Sequence, residues 1–309
     1  MDIKQIQYFI SLFENGSVTR AAKRLNIVQP ALSMQIAKLE EELNQQLFER
    51  SAHGMAPTAA GRLMYRLYLP IMRDLVHARA QLVQRDEIVT GHISIGLIAS
   101  VTESVLADAL SRFYDGYPHV EVTVSDGYSA TLIDWVAGGQ LDAALINKPR
   151  ARLSLDAQPL LDEEMVLATS AQHGPELPSQ IEFARLPEFE LVLPTKRHGL
   201  RGVLDTAAQH EDVLLAPRFE IDVLNAIVKL VENTRFATIL PRVMVERAVR
   251  AGTLRTYPIH SPRIVRHIIC VSHPRRPLNM ATQTLIAIIA DELARMSSKA
   301  TLDSGAARR

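Results

Sequence analysis

The stretch VTRAAKRLNIVQPALSMQIAKLEEEL, residues 18–43, carries two apolar periodicities joined by a short connection. Val18, Ala21, Ala22 and Leu25 repeat at helical spacing, and Leu32, Ile36, Leu39 and Leu43 do so again after Asn26-Ile27-Val28. Pro30 suits a first helical position, where its missing N–H would be unpaired in any case. The small Ala21 and Ala22 let two helices approach closely, as a helix-turn-helix requires. With Leu32, Ile36 and Leu39 turned inward, the opposite face shows Gln29, Pro30, Ser33, Met34, Ala37 and Lys38. That face is short-chained and nearly free of acid, so it can enter a major groove, where Gln and Ser reach base edges. Glu40-Glu41-Glu42 follow one turn later and confine such contact to the N-terminal half. Periodicity alone equally allows a three-helix bundle with these residues as a solvated face.

Upstream, Ile3, Ile6, Ile10 and Phe13 give a first helix that stops at Asn15-Gly16. Downstream, LFERSAHGMAPT reads as a β-wing, a short strand, a Gly-containing turn and a second extended piece. Arg50 and His53 would then lie beside phosphates. Residues 1–66 hold eight Lys/Arg against six Asp/Glu, with Arg20, Lys23 and Arg24 clustered on one helix. Cations so placed would position the module on DNA without reading sequence. The whole chain carries 34 Lys/Arg and 34 Asp/Glu, so any basic surface is local.

From Ile6 to Gly61 the chain resembles the DNA-binding domain of LysR-type transcriptional regulators. The pattern AAKRLNIVQPALSMQIAKLEEEL, then LFER, a glycine, and PT with AG, carries the resemblance. It implies a winged helix-turn-helix at 1–58, a linker dimerisation helix at 59–90 and an effector-binding domain at 91–299, with a flexible tail at 300–309. It also implies that Gln29, Pro30 and Ser33 meet bases and that Lys38, Arg50 and Thr58 lie near backbone phosphates. Met34 stands where a polar or basic residue is usual, which leaves an apolar contact to a thymine methyl. The implied partners are double-stranded DNA, as an interrupted inverted repeat in a promoter, further copies of the chain in a dimer and tetramer, and RNA polymerase. Within the family, NIVQPALSMQIAKLEEEL and DGYSATLIDWVAGGQLDAALI look closest to the branch typified by the nitrogen assimilation control protein.

Beyond Ala59, Met64, Leu67, Ile71, Leu75, Ala78 and Leu82 form a coiled-coil-like seam, with Arg62, Arg66, Arg73, Arg79 and Arg85 mostly on other faces. Pro70 should kink this helix near Arg66. From residue 91 the texture becomes α/β, with strands HISIGLIAS, VEVTVSDG and QLDAALI alternating with helices. A second set follows over 191–241. Two Rossmann-like halves, 91–162 with 268–299 and 163–267, resemble a periplasmic-binding-protein fold, with crossovers near Leu161–Met165 and Arg266–Ile269.

Ligands in such sheets sit at strand carboxyl ends against helix N-termini, which favour anions. Three junctions are readable: Ser100-Val101-Thr102, Tyr128-Ser129 and Thr195 through Gly199, with Arg197 and His198 as added donors. Each hydroxyl taken singly can also be a helix cap, and Ser100-x-x-Glu103 fits a capping box. Convergence of the three would make a cleft for a small anionic effector, and family resemblance points to Ser100, Ser129 and the Thr195 region.

The composition, 47% apolar and 22% charged, fits a folded globular chain. Its single cysteine, Cys270, has no resolving partner and suits a reducing cytoplasm. The N-terminus lacks a signal-peptide pattern, and LIAIIA at 285–290 is far too short to span a membrane. No HExxH, paired CxxC, GxSxG or Walker-type loop occurs, and His267-x-x-Cys270 alone is a weak metal signal. The expectation is a cytoplasmic regulator without metal or cofactor and not an enzyme. The alternatives are a solute-binding protein or small-molecule enzyme with an appended helical domain, and a helical interaction module that does not bind DNA.

Overall fold

The structure, a computed structural model, describes residues 1–51, 54–83 and 91–306. The chain divides into an N-terminal and a C-terminal compact unit.

In the N-terminal unit, α1 (Ile3–Asn15), α2 (Val18–Arg24) and α3 (Gln29–Leu43) precede a two-stranded wing, β1 (Phe48–Ser51) and β2 (Gly54–Pro57). Asp2 caps α1 in a reciprocal box with Gln5, and Gly16 ends it in the left-handed conformation. Ala21, Ala22, Leu32, Ile36 and Leu39 form the core, as the spacing predicts, but α1 contributes Phe9 and Leu12, with Ile10 and Phe13 only partly buried and Ile3 exposed. Pro30 lies in the first turn of α3. The Glu40 carboxylate accepts from the backbone N–H of Leu47 and Phe48 at 2.7 and 3.1 Å, so part of the acidic run anchors the wing. The tip docks on the α1–α2 turn through Met55 N–H to Gly16 O. A Cβ at Gly54 would stand 2.4 Å from that oxygen, at a φ of +126°.

Helix α4 (Ala59–Val83) follows and continues through Pro70. Met64, expected in the seam, is instead buried in the N-terminal core, because α4 packs its first turns on α1. Leu67 and Ile71 are 56% and 55% exposed and share a row with Leu63 and Leu75. Arg73, Ala78, Arg79 and Leu82 have no described side chains, and Arg85 and His53 lie outside the described residues.

In the C-terminal unit, β3 (Gly91–Leu97), α5 (Ala99–Gly116), β4 (Val120–Asp126), α6 (Ser129–Ala137) and β5 (Ala143–Asn147) build a parallel sheet in the order β4-β3-β5. Strand β6 (Asp156–Ser170) is long. Its first part, to Glu164, pairs with β12 (Val265–Ser272), which in turn pairs with β5. From Met165 it runs instead between β10 (Ala237–Pro241) and β11 (Leu254–His260). The second half adds β7 (Ile181–Glu182), a short pair β8 (Val192–Leu193) and β9 (Phe219–Glu220), and helices α7 (Gly199–His210), α8 (Leu224–Glu232) and α9 (Arg242–Arg250). The first crossover falls at Glu164/Met165, inside the expected interval. The return falls between His260 and Val265, a few residues before Arg266–Ile269, because β12 already pairs with the first half from Val265.

Helix α10 (Met280–Ala306) continues into the stretch expected as a tail. Among the described residues, no helix is long and apolar enough to cross a membrane.

Replacing Glu40 by Ala leaves two buried amides without an acceptor, which costs about 1–3 kcal/mol. Urea unfolding of the full chain should show this loss in the N-terminal unit, with Glu40→Gln retaining most of the stability. Equal losses for the two variants would contradict the anchoring role.

Candidate functional site

The exposed face of α3 consists of Gln29, Pro30, Ser33, Met34, Ala37 and Lys38, with Val28 before it. Arg20 and Arg50 are exposed as well. Arg20 donates to Asn15 O at 2.7 Å, which holds its guanidinium beside the end of α1. Thr58 differs from expectation. Its hydroxyl donates to Gln46 O and accepts from Gly61 N–H, so it caps α4 rather than standing free for a phosphate.

In the C-terminal unit, three strand-to-helix junctions meet at a cleft between the halves. An inner cavity of about 160 Å³ is lined by the ends of β3 (Ile98, Ala99), β4 (Asp126 to Ser129) and β5 (Asn147), and by His198, Gly199 and Asp222 from the second half. It shares Tyr128, Ser129, Asn147 and Gly199 with a wider outer cavity of about 670 Å³. The outer walls include Ile133, Pro149, Val203 and Ile264, and its charged residues include Lys148, Arg150, Arg197 and Glu211.

Of the expected contacts, Ser129, Arg197 and His198 line this cleft. The Ser129 hydroxyl is buried and has no hydrogen-bond partner. The Arg197 guanidinium lies 5.3 Å from the centre of the Tyr128 ring. His198 is the N-cap of α7, its Nδ1 accepting from Leu200 N–H at 3.3 Å. Gly199 then approaches Asn147 so closely that a Cβ would stand 2.8 Å from Nδ2.

Ser100, Val101 and Thr102 do not line the cleft. The capping box with Glu103 does not form, because α5 is capped two residues earlier, by Ile98, and Ser100 is already inside the helix. Its buried hydroxyl accepts from Arg266 at 2.6 Å, Val101 is core, and Thr102 donates to Ile98 O. Glu103 accepts instead from Asn225 N–H of the other half. Thr195 precedes α7 by four residues, and its hydroxyl donates to Asp222.

Asp222 lies outside the residues that the sequence points to, which are hydroxyls and cations at helix starts. Its carboxylate accepts from Thr195 and, at 2.6 Å, from the Tyr128 hydroxyl. These bonds, with the nearby Arg197 charge, hold its pKa below the usual range. Partial burial pushes the Asp126 carboxyl up, the Gly127 amide opposing this. Asn147 lies outside them too, though it is the carboxyl end of a strand the sequence shows plainly.

Beneath the cleft lies an ion pair that charge patterning does not reveal. Arg266 and Glu163 are cross-strand partners on β12 and β6, essentially without exposure, with Arg266 Nε donating to Glu163 Oε2 at 2.9 Å. Among the described residues, no group of three or more His, Cys, Asp and Glu could hold a metal. Cys270 is buried in β12, and desolvation pushes its thiol up to about 11, leaving little thiolate.

Residues 3–62 match the family described as bacterial regulatory helix-turn-helix protein, lysR family, and residues 87–294 match LysR substrate binding domain. The nitrogen assimilation regulatory protein nac of Klebsiella aerogenes is 29% identical over 78% of each chain. A hydrogen peroxide-inducible genes activator of Haemophilus influenzae is 26% identical, covering 95% of this chain and 97% of its own. The fold is similar to that of full-length CbnR in complex with its target DNA, with a TM-score of 0.65 at 20% identity, covering 96% of this chain and 100% of the other.

Burial lowers the pKa of His198 below 6.5, Asp222 opposing the shift and Arg266 adding to it. The unfolded chain therefore takes up a proton that the folded chain refuses, and stability falls as pH drops below about 6.5. His198→Asn keeps a capping acceptor without titrating. Unfolding of both proteins from about pH 7.5 to about pH 5.5 should shift the stability difference toward the Asn variant. A difference that does not change with pH would contradict this.

Proposed function

The chain belongs to the LysR family of bacterial transcriptional regulators, DNA-binding proteins with an effector-binding domain, and from that premise we propose how its own residues divide the work. Gln29, Ser33 and Met34 read base edges in a major groove, with Pro30 against them, while Lys38, Arg50, Arg20 and His53 contact phosphates. The observation that carries this reading is the exposed, acid-free N-terminal half of α3. Of the acids that follow, one to two turns along the helix, Glu40 is turned to the wing and Glu42 pairs with the N-terminal amine.

The C-terminal cleft binds a small organic effector with an anionic group. Support comes from the linked cavities and from Lys148, Arg150 and Arg197 around the outer one, in a volume range typical of ligand sites. Its anion is read at this outer rim rather than at the helix starts. There Asp222 already holds the Tyr128 and Thr195 hydroxyls.

Self-association uses the row Leu63, Leu67, Ile71 and Leu75 on α4, whose exposure leaves an apolar stripe in need of a partner. A dimer or tetramer so formed would span the two halves of an inverted repeat in a promoter, beside RNA polymerase in the cytoplasm.

The test is affinity for the duplex upstream of the protein's own gene against a random duplex, at one salt concentration. Gln29→Ala and Ser33→Ala should each weaken specific binding by about 1–3 kcal/mol and leave non-specific binding unchanged. Equal losses on both duplexes would move these residues from base reading to phosphate contact.

A further inference from the structure

We propose that the inner cavity seats a cationic group, so that the effector is an amino carboxylic acid with its ammonium inside and its carboxylate at the outer rim. This rests on the cleft being the effector site, and it adds the second charge.

The inner lining contains two carboxylates, Asp126 and Asp222, and no lysine or arginine. The remaining titratable side chains are His198 and Tyr128. The His198 ring is held neutral by its burial and by its role as acceptor to Leu200 N–H, and the Tyr128 phenol donates to Asp222. An anion entering here would meet like charge in a confined space.

Apart from Ser129, the hydroxyls near this cavity that could welcome an anion are already engaged. Tyr128 and Thr195 both donate to Asp222, and Ser100 serves Arg266. The positive ends of α6 and α7 are likewise answered from within the protein. Asp126 stands three residues before α6, and the His198 cap of α7 lies in the field of Asp222.

A separate observation concerns Ser129. Its hydroxyl, buried beside this acidic space, has no partner among the described residues. An unmade hydrogen bond on a buried hydroxyl is costly, and a small rotation of this side chain toward the cavity would let it accept from an ammonium. The same donor would compensate Asp126, whose carboxyl is otherwise disfavoured in its charged form.

Charge then reverses along the cleft. The outer cavity begins at Tyr128, Ser129, Asn147 and Gly199 and carries Lys148, Arg150 and Arg197 against one carboxylate, Glu211. Arg150 donates to the neutral Thr206 hydroxyl and Arg197 lies over the Tyr128 ring, and among the described residues neither forms an ion pair, so both can meet a carboxylate. Between the two ends lie apolar walls from Ile133, Val203 and Ile264. A ligand with ammonium, apolar body and carboxylate matches this sequence of surfaces. A plain organic acid matches only its outer part.

The test is calorimetric titration of the full-length protein with the common L-amino acids and straight-chain ω-amino acids. Each is paired with the acid lacking its amine and the amine lacking its carboxylate. At least one amino acid should bind, with both paired analogues at least about tenfold weaker. Asp126→Asn and Ser129→Ala should each reduce that affinity by about tenfold or more, the alanine variant guarding against a folding defect in the other. If an acid binds as tightly as its amino counterpart and Asp126→Asn changes nothing, the cationic seat is wrong while the cleft remains the effector site. If no compound of any of the three classes binds, the proposal is overturned, and DNA recognition by α3 stands on its own test.

Discussion

Two strands cross between the halves of the effector domain, and where they cross, Arg266 and Glu163 face each other in register without solvent. Two buried charges carry a desolvation penalty of several kcal/mol each, offset only when geometry is good and the remaining donors and acceptors are filled. Here they are filled. The second Glu163 oxygen accepts from Val243 N–H at the start of α9, and Arg266 also donates to Ser100 Oγ at 2.6 Å and Asn147 Oδ1 at 3.5 Å. The pair therefore joins both crossover strands, the first turn of α5, the end of β5 and the start of α9. Those elements form or adjoin the floor of the cleft, so the pair fixes where the cleft can open.

Above this fixed floor the contacts between halves are of a lighter kind. Tyr128 donates to Asp222, Arg150 to Thr206, Asn225 N–H to Glu103, and Arg247 to Asp108 and Ser104 O. Partly exposed polar contacts of this type contribute little individually and exchange readily with water or ligand. A buried floor under exchangeable bridges suits a site that responds to a small molecule. An effector shifts the arrangement only by binding one form better than another, and Asp222 sits among the groups such a molecule must approach.

Much of the fold is legible in the sequence because it rests on periodicity. Leu32, Ile36 and Leu39 mark the inner side of α3, and the acid-free opposite face is its direct complement. The strands ending at Leu97, Asp126 and Asn147 likewise announce a parallel sheet with a cleft at their carboxyl ends. Helix starts were harder to place. Ser100 fits a capping box by spacing, yet the helix begins one residue earlier and the hydroxyl faces Arg266. Thr195 looks like a junction residue, but its partner is Asp222, 27 residues away. Arg266 and Glu163 lie 103 residues apart, and nothing in either neighbourhood signals the other. Long-range polar pairing has no period, so a single sequence does not reveal it.

A double-mutant cycle on this ion pair tests most directly whether it governs the effector domain. Glu163→Leu, Arg266→Met and the double variant would be compared by urea unfolding of the C-terminal unit in the full chain. Each single change strands a buried charge and should cost about 3–5 kcal/mol. The double change removes both charges and should cost well under the sum of the two, a coupling at the upper end of about 0.5–3 kcal/mol or beyond. Additive losses, or single variants within about 0.5 kcal/mol of the parent protein, would contradict a structure organised around this pair.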